Sequence, residues 1–189
     1  MQQLNVKNEE YKGRLLNCIK ERAVSIGEVK LSSGKTSDLY VDAKMVTLDP
    51  EGAFLTAMVL IDILRNEDVD AVGGMTMGAD PIVGALAAIS YVENVPIKTF
   101  IIRKKPKKHG KQKWIEGPLL NASKIAVIDD VTTTGKSLLQ SIEIIKEAVD
   151  CDIVKVISLV DRSEGAKEIL KNEGCELISI FDRRDILGD

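Results

Sequence analysis

The sequence predicts an α/β protein with a doubly wound, mainly parallel sheet and helices on both faces. Four short runs of apolar and β-branched residues recur along the chain, and helical stretches fall between or after them. Strands that are apolar throughout are buried on both sides, as happens in a parallel sheet covered by helices. The predicted strands lie near 69–74, 96–102, 124–130 and 153–161, and the predicted helices span 79–92, 136–149 and 164–173.

Ahead of this repeat the chain predicts a small N-terminal unit. Residues 8–24 carry apolar side chains at helical spacing, and β segments are expected near 29–31 and 39–41, on either side of the turn-like SSGKTSD. Asp49 and Pro50 then mark the start of another helix. The 189 residues, 44% of them hydrophobic, are enough for one core, so a single domain over 1–189 is expected.

Composition narrows the class of protein. No run approaches the roughly 20 apolar residues of a membrane span, and the N-terminus lacks the apolar core of a signal peptide, so a cytoplasmic location is expected. The three cysteines, Cys18, Cys151 and Cys175, are widely separated and odd in number. We expect reduced, mostly buried thiols rather than a zinc site or disulfides.

Positive charge is concentrated in one segment. Residues 103–113 hold seven Lys or Arg and no acid, so the net charge of −3 leaves −10 on the rest of the chain. Residues 103–118 show no apolar period and are predicted to form a long mobile loop that meets an anion. A solvated surface or a nucleic-acid patch is the alternative, although Trp114 is the loop's one aromatic residue and the rest of the chain is acidic.

The strand near 124–130 runs into a polar turn and then a helix, which is the arrangement of a phosphate-binding cradle. Asp129 and Asp130, just ahead of the turn, are placed to meet sugar hydroxyls or Mg²⁺. They could instead merely end the strand, with Thr134 capping the helix. A P-loop is excluded because Asp130 stands where that motif needs glycine. The candidate phosphate ligands are Val131, Thr132, Thr133, Thr134, Gly135, Lys136 and Ser137.

The string VIDDVTTTGKS resembles the phosphoribosyl pyrophosphate signature of type I phosphoribosyltransferases over eleven residues. Further segments resemble the orotate branch of that family. The first is LSSGKTSDLYVDAK at 31–44, where the resemblance implies that Tyr40 and Val41 cover a pyrimidine. The chain departs from some members at Ser32, where they have a lysine; Lys30 and Lys35 are the candidate substitutes.

The second segment, RKKPKKHG at 103–110, resembles the family's catalytic loop. The resemblance implies that Arg103, Lys104, Lys107 and His109 bind pyrophosphate. Cations that close over a leaving group favour the transition state as its charge develops. In the family this loop reaches a neighbouring subunit, which implies a homodimer with shared sites and Lys104 as the crossing residue.

The third segment, LVDRSEGAKE at 159–168, places Arg162 where the family pairs an arginine with the orotate carboxylate, and Thr133 where it hydrogen-bonds the pyrimidine. Arg162 could instead balance nearby acids. Residues 69–87 resemble the family's pyrophosphate-contacting loop, with Met77 and Gly78 at the contacts. The resemblance implies the type I phosphoribosyltransferase fold with a small N-terminal hood at 1–45.

The activity implied is Mg²⁺-dependent transfer of ribose 5-phosphate from phosphoribosyl pyrophosphate to orotate in pyrimidine biosynthesis, by a homodimer that binds neither nucleic acid nor membrane. Two alternative functions would also use the phosphate-binding cradle. A purine phosphoribosyltransferase would have no need of a carboxylate-binding arginine at 162. A regulator using the same fold should add a DNA-binding segment, and about 20 residues precede the first motif.

Overall fold

The computed structural model describes residues 2–30, 36–106, 114–121 and 123–188. They form a mainly parallel sheet with strand order β5-β4-β3-β6-β7-β8 and a separate two-stranded sheet of β1 and β2. The strands are β1 (Val24–Lys30), β2 (Thr36–Val41), β3 (Ala71–Met75), β4 (Lys98–Ile102), β5 (Ile115–Glu116), β6 (Lys124–Thr132), β7 (Asp152–Asp161) and β8 (Leu177–Asp182). The helices are α1 (Gln2–Arg22), α2 (Lys44–Thr47), α3 (Pro50–Leu64), α4 (Ala79–Val92), α5 (Lys136–Ala148), α6 (Ala166–Asn172) and α7 (Arg183–Leu187).

Both faces of the large sheet are buried, which confirms the predicted class. Along β6, Ala126 and Ile128 pack into one apolar cluster with side chains of α1, α3 and α4. Ile125 and Val127 point the other way, into a second cluster with α5 and α6. Alternate residues of β6 therefore pack against helices on opposite faces of the sheet. For this reason the apolar part of the strand is not interrupted by polar residues.

The four predicted strands and the helices between them are all present, with ends shifted by a few residues. Two strands of this sheet were not predicted. β8 extends the sheet beside β7. β5 lies inside 103–118, where only a loop was expected, and pairs antiparallel with β4 through Ile101–Glu116 and Ile102–Ile115. Two residues are too few for a strand pattern to be visible in the sequence.

The N-terminal unit is anchored on the sheet through helices. Leu15 and Ile19 of α1 are fully buried, and α1 packs against α3. The predicted start of α3 is confirmed, since Asp49 accepts hydrogen bonds from the backbone N–H groups of Glu51 and Gly52. β1 and β2 pair antiparallel beside this helix layer. Among the described residues no helix combines the length and apolarity needed to span a membrane.

Candidate active site

The site lies where the winding of the sheet changes direction. From β3 the chain moves outward to β4, and it later returns to the other side of β3 as β6. The carboxyl ends of strands beside such a switch point leave a crevice between their loops, where open α/β sheets bind ligands. The segments that follow β3, β6 and β7 meet there.

The turn after β6 has the backbone that a phosphate cradle requires. Gly135 stands at the N-cap of α5 with a φ of +79° and no side chain caps the helix, so the alternative in which Thr134 is the cap is wrong. A Cβ at Gly135 would lie 3.3 Å from the Cβ of Ala166, so space as well as φ favours glycine. The uncapped N–H groups and the positive end of the helix dipole favour an anion at this turn.

The remaining cradle residues differ in exposure. Thr132 is buried, whereas Thr133 and Thr134 are half-buried, as is Val131. Lys136 and Ser137 are exposed in the first turn of α5. The two half-buried hydroxyls and the exposed lysine and serine are therefore the side chains of this turn that a ligand could reach.

Asp129 and Asp130 form a crowded acidic pair at the end of β6. Burial, and then the negative charge of Asp130, raise the pKa of Asp129 to about 7. The backbone N–H of Asp130 donates to Asp129 Oδ1 at 3.2 Å, and the charge of Lys104 in the same chain acts in the opposite sense, lowering that pKa. The sequence alone does not show this raised pKa, because it does not show how deeply Asp129 is buried.

Two further segments contact Asp130. The Lys44 ammonium lies 3.8 Å from Asp130 Oδ2 and 2.7 Å from Asp42 Oδ1. The hydrogen bond to Asp42, reinforced by the charge of Asp130, raises the pKa of Lys44. On the other side, a Cβ placed at Gly78 would lie only 2.1 Å from Asp130 Oδ1. The loop after β3 therefore approaches the acidic pair through a position that has no room for a side chain.

The loop after β3 also faces the base of the predicted catalytic loop. The Thr76 hydroxyl donates to Asp80 Oδ2 at 2.6 Å, and the peptide bond between Thr76 and Met77 is cis. A cavity of about 450 Å³ is lined by Thr76, Asp80, Arg103 and Lys104 together with neighbouring residues. The structure thus brings two of the four predicted loop cations to the segment that contains Met77 and Gly78.

The base of the catalytic loop is held by its return strand. The backbone N–H of Arg103 donates to the Trp114 carbonyl at 2.8 Å, and its guanidinium lies 3.4 Å from Glu116 Oε1. Lys107 and His109 lie outside the described residues, as do Ser32 and Lys35, and the Lys30 side chain is likewise not described. The predictions made for these residues are therefore untested.

Arg162, the residue predicted to bind the orotate carboxylate, follows the end of β7. The backbone N–H of Arg162 donates to the Thr132 carbonyl at 2.9 Å, which sets Arg162 beside the start of the phosphate turn. Its side chain is 5% exposed, and Nη2 lies 2.6 Å from Glu164 Oε1. Arg162 therefore presents a largely desolvated guanidinium that already holds one carboxylate.

The two-stranded sheet lies close to this arginine. A hydrogen bond from Arg183, followed by weaker effects that include the charge of Arg162, lowers the pKa of Asp38 on β2. On the same strand, Tyr40 is partly exposed and Val41 is buried. β2 thus brings Tyr40, an aromatic surface, to the side of the site where Arg162 lies.

Sequence reasoning gave no role to Lys44, Asp80 or Glu164, although all three lie in segments quoted for the resemblance. Nothing in the sequence of these segments distinguishes the three side chains from ordinary surface charges. Their contacts become visible only when the loops are brought together.

The donor set fits a Mg²⁺ ion that takes most of its ligands from a substrate. Within the described ranges no group of three or more His, Cys, Asp or Glu side chains could hold a metal ion. Asp129 and Asp130 do offer adjacent carboxylate oxygens, the hard ligands that Mg²⁺ prefers. All three cysteines are free; Cys18 is buried, whereas Cys151 and Cys175 are only half-buried, contrary to the expectation that most are buried.

Comparison with known proteins identifies the family. The phosphoribosyl transferase domain model matches residues 45–180. Orotate phosphoribosyltransferase of Aquifex aeolicus is 40% identical over 177 residues, or 92% of this chain and 96% of that protein. Crystal structures of the Mycobacterium tuberculosis orotate phosphoribosyltransferase superpose with a TM-score of 0.81 for the Fe(III) dicitrate complex (33% identity, 93% of this chain and 98% of that one). The complex of the same enzyme with 5-phospho-alpha-D-ribosyl 1-diphosphate superposes with a TM-score of 0.78 (29% identity, 93% of this chain and 98% of that one). The chain has the type I phosphoribosyltransferase fold and belongs to the orotate phosphoribosyltransferases.

Proposed function

We propose that this chain transfers ribose 5-phosphate from phosphoribosyl pyrophosphate to orotate, giving orotidine 5′-phosphate and diphosphate in UMP biosynthesis. The observation that carries the proposal is the buried Arg162 guanidinium, set by a backbone hydrogen bond beside the phosphate turn. A planar guanidinium that is shielded from water is suited to the carboxylate that orotate carries and hypoxanthine lacks. We also propose a cytoplasmic location.

The phosphate turn and the acidic pair would hold the donor. Backbone N–H groups of 132–137 bind the 5-phosphate, and the hydroxyls of Thr133 and Thr134 add donors. Asp129 and Asp130 accept hydrogen bonds from the ribose hydroxyls. Such contacts fix the sugar with C1′ facing the base and convert an encounter of two substrates into a reaction within one complex.

Arg162 and Thr133 would orient orotate, with Tyr40 covering its ring. The Val41 side chain packs into the core on the other face of β2, so Val41 would meet the base through its backbone. Orotate N1 loses its proton to the departing diphosphate while its electron pair forms the bond to C1′ with inversion, and the pair of the breaking C1′–O bond leaves with that diphosphate. No residue of the chain becomes covalently attached, so the chain acts by positioning and by charge.

The loop cations would stabilise the leaving group. Arg103 and Lys104 lie beside the cavity at the end of β3, and Lys107 and His109 extend the same positive segment. Asp129 and Asp130 would help to hold a Mg²⁺ ion bound mainly by the donor, and that ion would supply further positive charge for the diphosphate. Positive charge aimed at the departing oxygens is worth more in the transition state than in the ground state.

We propose a homodimer with shared sites. Met45, Leu48 and Met77 are large apolar side chains that are more than half exposed beside the site, and such a patch is typical of a protein interface. The resemblance implies that the catalytic loop, which carries Lys104, Lys107 and His109, would reach the partner's site, with Lys104 as the crossing residue.

The decisive experiment compares orotate and hypoxanthine as acceptors with phosphoribosyl pyrophosphate and Mg²⁺, following base consumption by ultraviolet absorbance. We expect turnover of orotate alone. Lys107→Ala should abolish most of it, and Arg162→Met should raise KM for orotate at least tenfold. Arg184→Met is the control, because this arginine is 78% exposed and its ion pair within the described ranges is local, with Asp182. Turnover of hypoxanthine alone would make the chain a purine enzyme, and turnover of neither base would favour the regulator.

A further inference from the structure

We propose that Lys44 is a positioning residue, whose ammonium is anchored on Asp42 and holds the carboxylate of Asp130 in place for the ribose hydroxyls of the donor. The proposal rests on the proposed function, in which Asp130 binds that sugar. Lys44 lies outside the phosphate turn and the catalytic loop, at the start of α2.

The first step is the anchoring of Lys44. Asp42 Oδ1 accepts a hydrogen bond from the Lys44 backbone N–H at 3.2 Å and lies 2.7 Å from its ammonium. Both ends of the lysine are thereby tied to one carboxylate at the end of β2. A lysine side chain held in this way has lost much of its rotamer freedom before any ligand binds.

The second step is the position of Asp130 between two segments. Its Oδ1 faces Gly78 so closely that a Cβ there would lie at 2.1 Å. Its Oδ2 faces the Lys44 ammonium at 3.8 Å. One oxygen is thus limited by backbone and the other by a cation, so the carboxylate has little freedom to turn away.

The 3.8 Å between the Lys44 ammonium and Asp130 Oδ2 leaves this carboxylate able to bind a ligand. This distance is an ion pair but is too long for a direct hydrogen bond. The attraction therefore orients Asp130 without occupying its lone pairs, which stay available to accept hydrogen bonds from the ribose hydroxyls.

Lys44 also links the part of the site on β2 with the part at the end of β6. Lys44 follows β2, which carries Tyr40 and Val41, by three residues. Its contact with Asp130 joins this strand to the end of β6. The residues proposed to cover the base are thereby set at a defined distance from the carboxylate proposed to hold the sugar.

The test uses Lys44→Met, which keeps the length of the side chain and removes its charge, and Lys44→Arg, which restores the charge. Lys124→Met is the matched control, because Lys124 is 44% exposed against 40% for Lys44 and forms an aspartate ion pair of its own, with Asp68, at the other end of β6. Steady-state kinetics give KM for each substrate and kcat. Calorimetric titration of phosphoribosyl pyrophosphate with Mg²⁺, without orotate, gives donor binding alone.

We expect Lys44→Met to raise both KM and Kd for the donor about tenfold, a size typical of coupled contacting residues, and to lower kcat less than about threefold. Lys44→Arg should recover most of the affinity, and Lys124→Met should change neither value. A merely structural role would lower thermal stability and both kinetic constants without rescue by arginine, and that result would overturn the proposal.

A double-mutant cycle with Asp130→Asn isolates the contact. If Lys44 acts through Asp130, adding Lys44→Met to Asp130→Asn costs little further donor affinity; full additivity of the two effects would refute this. If the wild-type protein turns over orotate while Lys44→Met binds donor normally, this inference alone is wrong. If the wild-type protein turns over no orotate, the proposed function fails, and the donor titrations still decide the role of Lys44.

Discussion

Asp129→Asn is expected to make the ligand-free protein more stable at pH 8, although Asp129 belongs to the proposed site. Burial and the charge of Asp130 raise the pKa of Asp129 to about 7. Because the folded state holds this proton more tightly than the unfolded chain, the aspartate stabilises the fold fully only below its unfolded pKa, near 4. That contribution is lost as pH rises through about 7. An amide in the same place carries no charge at any pH and can still accept the hydrogen bond from Asp130 N.

The size of the effect follows from the pKa. A rise from 3.8 to about 7 amounts to about 4 kcal/mol in total, since each tenfold change in proton affinity is worth about 1.4 kcal/mol. The part that develops between pH 5 and pH 8 is about 2.5 kcal/mol. We therefore expect the advantage of the variant to grow by about 1.5–3 kcal/mol between pH 5 and pH 8.

Urea denaturation at pH 5, 6, 7 and 8, in EDTA and without substrate, measures this difference directly. Subtracting the wild-type value at each pH removes the contributions of all other titrating groups. Asp152→Asn, at an exposed position at the start of β7, is the control and should show little pH dependence. A difference between Asp129→Asn and the wild type that stays constant, or that shrinks as pH rises, would refute the reasoning.

Three further substitutions test the site. Arg162→Lys should raise KM for orotate at least tenfold, since one ammonium cannot replace a planar fork on a carboxylate; an unchanged KM at saturating donor would contradict the assignment. Glu164→Gln should lower KM for orotate about threefold, because the Glu164 carboxylate lies 2.6 Å from Arg162 Nη2 and competes with that of orotate. A higher KM in steady-state assays would instead show that Glu164 positions Arg162. Gly78→Ala should raise KM for the donor about tenfold, because its methyl group would lie 2.1 Å from Asp130 Oδ1 and displace a carboxylate that must be held in place; a variant with wild-type donor affinity would exclude that displacement.

The predicted parts of the fold are those whose signal lies within one continuous segment of the sequence. Buried strands such as β6 are apolar without interruption, and the phosphate turn is one continuous string, so both were predicted before the structure was known. β5 has two residues and exists only because β4 lies beside it, and β8 is an edge strand with a serine in its middle. β5 has no pattern that distinguishes it from a loop, whereas the apolar and β-branched run of β8 is a strand signal that the sequence does contain.

Contacts between distant segments explain why the site was predicted less completely than the fold. The types of Asp129, Asp130 and Arg162 and their order were visible. The burial that raises the pKa of Asp129, the approach of Gly78 to Asp130 and the position of Lys44 depend on how three loops meet above the sheet. No residue spacing within one segment contains that information.

The two lysines near the acidic pair differ in how they are held, and this difference assigns them separate tasks in the proposed reaction. Lys104 is exposed at the base of a long basic segment, whereas Lys44 is tied to Asp42 through both its backbone and its ammonium. When the diphosphate of the donor enters, its charge draws the loop cations toward the leaving group. Lys44, anchored on Asp42, stays beside Asp130. The anchored Lys44 can thus keep the sugar-binding carboxylate in place throughout the proposed reaction, a task separate from the stabilisation of the leaving group by Lys104.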